Sequence, residues 1–185
     1  MDFRSQIPDP RGYALELELN LGSEIWDLRS GFLGYLGSGF IAMRETDGYY
    51  TNAHIAAYPV EYIAGIDLYN AGEFHAAHDV WEERWMGEVG PDEKLFLQAM
   101  IQSAVAFHHL DIGRPGASRQ MYQRAKEKFA RLGKRVFMSL DLEEYQNQLD
   151  TALSWLLSIA DPRDYPIPQI QRPKIRLLAE INEFD

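Results

Sequence analysis

The sequence predicts an all-α protein, a bundle of about five helices, and two observations carry that expectation. From Pro59 onward apolar residues recur every three or four positions, the period of a helix with one buried face. The breaks between these stretches fall on residues that stop helices: Asn-Ala-Gly at 70–72, Gly87, Gly113 and Asp161-Pro162.

The first helix is expected over Val60 to Asn70 and the second over Glu73 to Met86, ended by Gly87. Pro91 suits the first turn of a third helix, because proline lacks the N–H that a first turn leaves unbonded anyway. That helix runs through DEKLFLQAMIQSAVAFHHLDI to Gly113. The GRPGA turn (113–117) introduces a fourth, whose Ala117, Met121, Ala125, Phe129 and Leu132 form one stripe. Ser139 or Asp141 caps a fifth, in which Leu142, Tyr145, Leu149, Leu153 and Leu156 repeat at helical spacing. Residues 161–185 are proline-rich and expected to be extended, and their Ile and Leu content predicts packing on the bundle or on a partner.

The first 59 residues read differently. LELELNL (15–21) alternates with a strand period, although Leu and Glu favour helix. SGFLGYLGSGF (30–40) is too glycine-rich for a long helix. FIAMRETDGYYTNAHIAAY (40–58) places Asp-Gly between β-prone residues, a hairpin signal, so a small β element is expected there. The chain therefore divides into an N-terminal extension packed on the core (1–59), a helical core domain (60–160) and an extended tail (161–185).

Composition narrows the function. A chain of 185 residues that is 46% hydrophobic and 12% aromatic has material for one well-packed domain. With 18 basic against 28 acidic residues its net charge is −10, which argues against a nucleic-acid backbone as partner. The locally basic RQMYQRAKEKFARLGKR (119–135) reads as a solvated helix face. There is no cysteine, so disulfides, zinc–thiolate sites, iron–sulfur clusters and thiol nucleophiles are excluded. Neither a signal peptide nor a membrane span is visible, and the expected location is cytoplasmic.

The stretch GEFHAAHDVWEERW (72–85) concentrates the chemistry. At about 100° per residue, Phe74, Ala77, Trp81 and Trp85 share one side of the second helix and His78 falls inside that stripe. Glu82 lies one turn on, at its edge, with His75 on the same flank; Asp79 and Glu83 are expected to face solvent. On the third helix, apolar nearly all round, Gln98, Gln102 and His109 fall within about 40° of one another, whereas His108 points elsewhere with Leu97, Ile101 and Ala104. A buried polar group needs a partner or incurs about 1–3 kcal/mol. Antiparallel packing across the short Gly87–Gly90 loop would then join His78 and Glu82 to Gln98, Gln102 and His109.

Three roles fit such a cluster. His78, Glu82 and His109, with His75, are candidate ligands for a divalent metal, although HEXXH and the paired Glu-x-x-His of di-iron bundles are absent. The same His78, Glu82 and His109 are candidates for metal-free acid–base catalysis, with Gln98, Gln102, Trp81 and Trp85 lining a substrate. Or the cluster is a hydrogen-bond network that fixes helix register, with the tryptophans as core anchors. An enzyme and a non-catalytic scaffold, the latter a homo-oligomer joined through the IPQIQRPKIRLL segment (167–178), both remain open.

These residues resemble the helical domain-of-unknown-function family numbered 309. The resemblance rests on Asn70, Gly72 and Phe74; on His78 and Asp79; on Trp81, Glu82 and Trp85; on Gln98, Ile101, Gln102 and Ala104; on His109; and on Gly113, Gly116 and Ala117. It spans about residues 62–135, with Asp79 where the family more often has Glu. It implies a compact all-helical fold and no particular reaction, and it groups His78, Glu82, Gln98, Gln102 and His109.

Overall fold

Thr51 begins the first helix of the chain that the computed structural model describes, which comprises residues 48–162 and 165–182. Helix α1 (Asn52–Ala57) is a single short element in which the backbone N–H of Thr51 bonds back to His54 Nδ1 at 2.9 Å. It occupies the place where the second arm of a hairpin was expected. Gly48 does take the left-handed φ of 72° that an Asp-Gly turn requires, but the chain leaves that turn into helix. The reciprocal Thr51–His54 cap supplies the reason, since it satisfies orphan donors of a first helical turn. The readings of 15–21 and 30–40 lie outside the described residues.

The longer helices follow the spacing closely. They are α2 (Val60–Ala71), α3 (Phe74–Met86), α4 (Pro91–Asp111) and α5 (Pro115–Leu132). Gly72 and Gly133 end α2 and α5 in the left-handed conformation. Pro91 and Pro115 each open a helix. Helix α4 is the central one, packing on α3 to one side and α5 to the other, while α3 also packs on α2. Ala99, Met100, Ile101, Ala104, Ala106 and Phe107 are all buried along it.

Two features were not expected. After α5 the chain forms an antiparallel pair, β1 (Val136–Phe137) and β2 (Leu140–Asp141), with Met138 and Ser139 between them at φ 47° and 57°. Two non-glycine residues at positive φ cost conformational energy and must be held by their surroundings. Met138 is fully buried and its carbonyl accepts from Tyr62 Oη; Ser139 Oγ donates to Glu180 O and pairs with Tyr58 Oη. Asp141 then caps α6 (Leu142–Leu153) through Glu143 N and Glu144 N, as its spacing predicts. The expected fifth helix is interrupted at Ser154 and resumes as the short α7 (Trp155–Ser158). Among the described residues the fold is thus mostly helical, with one small hairpin at 136–141, where none was expected.

The tail is extended and packs on its own bundle. Pro173, Ile175 and Leu177 are buried while Lys174, Arg176 and Leu178 are exposed, a strand-like alternation. Asn70 holds it from both sides of its amide: Nδ2 donates to Ile175 O and Oδ1 accepts from Ile175 N, each at 2.8 Å. Leu177 N bonds Tyr49 O and Leu178 N bonds Ser139 O. Arg172 pairs with Asp111 at the end of α4 and lies over the Phe74 ring at the start of α3. Among the described residues no helix is long and apolar enough to cross a membrane.

Candidate metal centre

Helix α3 sends His75, His78, Asp79 and Glu82 along one flank because these positions are three, four and seven residues apart. Asp79 is the hinge of the group. Its carboxylate meets His78 Nδ1 at 2.8 Å through one oxygen and His75 Nδ1 at 3.2 Å through the other. This is a difference from the sequence reading, which turned Asp79 to solvent. The side chain is short enough to fold back over the preceding turn, and two imidazole donors hold it there.

The opposite nitrogen of His78 is equally telling. The residue is 2% exposed, its Nε2 is buried without a hydrogen-bond partner, and Glu82 Oε2 lies 3.7 Å away. From α4, His108 brings its ring to 4.9 Å, centre to centre, from that of His75, while the rings of His75 and His78 are 5.7 Å apart. Three histidines and two carboxylates thus collect where α3 meets the C-terminal end of α4. His75, Asp79, Glu82 and His108 are partly exposed, so the centre opens to solvent along one edge with His78 as its buried floor.

The electrostatics follow from these contacts. The hydrogen bond to Asp79 raises the His75 pKa above its ordinary value. Burial alone would raise that of Asp79, but the bonds from His75 and His78 outweigh it and hold the carboxyl well below the usual range. Burial lowers the His108 pKa, helped by the neighbouring His75. The result is a carboxylate that stays ionised beside imidazoles, the donor set that borderline divalent cations favour.

The other sequence candidates are placed differently. His109 is buried, with neither ring nitrogen bonded, and burial pushes its pKa down to about 4. Gln102 is buried with Oε1 unpartnered, and Gln98 is half-buried. Among the described residues no hydrogen bond links Gln98, Gln102 or His109 to His78 or Glu82. Trp81 is wholly buried and donates from Nε1 to Tyr62 O, and Trp85 is buried beneath Lys94, so both anchor the core. The residues that sequence reasoning set aside are Asp79 and His108. The i, i+4 spacing of His75 and Asp79 was the available signal for the first. The face that His108 shares with Leu97, Ile101 and Ala104 was the signal for the second.

Fold and centre together define a helical bundle that carries a histidine–carboxylate group across one helix pair. Residues 62–121 match the family model described as Domain of unknown function (DUF309). This is the family that the motifs resemble, and the match takes in α3, α4 and every residue of the centre, ending short of position 135. No curated protein matches the chain.

Proposed function

We propose that the chain is a metal-binding helical module whose ligands are His75, His78 and Asp79. One observation carries the reading: a donor atom from each of the three lies within 4.8 Å of the other two. The Nδ1 atoms of both histidines already face the Asp79 carboxylate, at separations close to the roughly 3.3 Å between donors around a four-coordinate zinc-like ion. His78 Nε2–H would then point at Glu82, which supports the imidazole as an outer carboxylate commonly does. That arrangement also gives the buried, unpartnered Nε2 a role.

The test is elemental analysis of protein purified without an affinity tag, beside the His75→Ala and His78→Ala variants. About one equivalent per chain of zinc, iron or manganese in the wild type, lost in both variants, is the expected result. A wild type that neither carries metal nor takes up zinc in calorimetry overturns the reading.

A second reading, homo-oligomerisation through the tail, is favoured by the exposed side chains of Tyr165, Ile167, Leu178 and Ile181. Light scattering of the full chain beside an Ile167→Ser, Ile181→Ser variant tests it: an oligomer that dissociates in the variant supports it, and a monomeric wild type removes it.

A further inference from the structure

We infer that His108 is a fourth ligand, so that the centre closes around its ion and staples α3 to α4 instead of leaving a position open for chemistry. The inference rests on the metal reading above and specifies what kind of metal site it is. On a tetrahedral ion with metal–nitrogen bonds of about 2.0–2.1 Å, the centres of two bound imidazole rings lie about 5 Å apart. His108 and His75 are 4.9 Å apart and His75 and His78 are 5.7 Å apart, so His75 stands near that spacing from a ring on each helix.

Their orientation is near. The rings of His108 and His75 meet edge to face at 75°. Bringing both lone pairs onto one point takes a turn about the Cβ–Cγ bond, a soft torsion in histidine. His108 is only half-buried, and because its nitrogens lie outside the group of donor atoms within 4.8 Å, that turn is the movement the ion must draw from it. His109, the other histidine at this end of α4, is turned into the interior, so the helix commits one of the pair to the site.

Ligand number separates the two functional classes. Structural zinc sites are four-coordinate and filled by protein, whereas catalytic ones keep a position for water or substrate. Three imidazoles and a carboxylate fill a tetrahedron. The centre is therefore a clamp whose occupancy fixes the junction of α3 with the end of α4, beside the point where Arg172 of the tail is paired to Asp111.

Cobalt(II) loaded into the full-length protein tests this. The intense visible absorption of four-coordinate cobalt, unchanged by added azide, is the expected result. His108→Ala should weaken cobalt binding at least 100-fold and collapse that absorption, while Glu82→Gln should weaken it about 10-fold and keep it. A wild-type spectrum that shifts on adding azide reveals an open position and overturns the inference, as does His108→Ala binding cobalt like the wild type. The azide arm uses the unaltered protein and so does not depend on a variant folding. A wild type that binds no cobalt or zinc overturns the underlying metal reading, a different outcome from either of these.

Discussion

The indole of Trp81 occupies the space that a β-carbon on Gly65 would fill. A carbon built there would meet Trp81 Nε1 at 2.0 Å and Cε2 at 2.4 Å. Helix α2 thus approaches α3 across a glycine, and the same indole N–H reaches the carbonyl of Tyr62 on α2. Helix propensity alone predicts that Gly65→Ala gains about 1 kcal/mol. The clash is with a fully buried ring, and overpacking of this kind costs about 1–3 kcal/mol or more, so the steric effect wins. Gly65→Ala should lower the urea midpoint, and adding Trp81→Phe should recover part of the loss. A stabilised Gly65→Ala would remove the close approach.

Arg84 near the end of α3 holds Glu93 in the first turn of α4 through two bonds, of 2.7 and 3.2 Å. Glu93 is 5% exposed, so its carboxylate depends on that guanidinium. Arg84→Met should destabilise by about 2–3 kcal/mol by leaving a buried charge unpaired. The double variant with Glu93→Leu should regain most of it, because removing both partners leaves nothing to desolvate. Urea unfolding of the four proteins in a double-mutant cycle measures the coupling; additive losses would show that the pair is energetically idle.

The long helices were legible because each has the right period and a chemically marked end: Pro91 and the GRPGA turn at starts, Gly72 and Gly87 at stops. The hairpin at 136–141 was not, because Met138 and Ser139 carry none of the Asn or Gly that announces a tight turn. Their conformation is held by Tyr58, Tyr62 and the tail, which are remote in sequence. Helix α1 was masked by the adjacent Asp-Gly and by a capping histidine in place of the usual Glu or Gln. In the centre, His78 with Glu82 was readable as a one-turn pair on a buried stripe. Choosing between His108 and His109 was not, since it depends on how α4 rotates against α3, and period alone does not fix that rotation.

Asn70 is buried at the end of α2 and fastens the middle of the tail through two bonds to Ile175. Asn70→Leu removes both and leaves the Ile175 N–H and C=O seeking water, so it should free the tail while the bundle persists. Trypsin should then cut after Lys174 and Arg176 at least tenfold faster, which corresponds to about 1.4 kcal/mol of lost protection, with helical circular dichroism retained. Equal cutting rates in wild type and variant would mean that Leu177, Leu178 and the apolar contacts hold the tail without Asn70.

Alkaline pH should weaken the fold through its tyrosines. Burial raises the pKa of Tyr62, Tyr69, Tyr122 and Tyr145 well above the ordinary value, and Asp150 adds to this at Tyr122, whose hydroxyl it accepts at 2.5 Å. Tyr145 in turn donates to Tyr69 Oη at 3.0 Å. The folded chain therefore keeps these protons at a pH where the unfolded chain, titrating near 10, has released them. Stability from this source is complete below about pH 10 and declines above it, by up to about 1.4 kcal/mol per pH unit for each such tyrosine. Urea midpoints should be level from pH 8 to 9 and fall steeply from pH 10 to 11, with the last tyrosinate absorbance, that of these four, appearing together with unfolding. Tyr145→Phe should make that fall shallower, although it loses the bond to Tyr69. Midpoints that stay level through pH 11, or tyrosinate absorbance that passes the share of the other six of the ten tyrosines while the protein remains folded, would mean that these hydroxyls reach water in the native state.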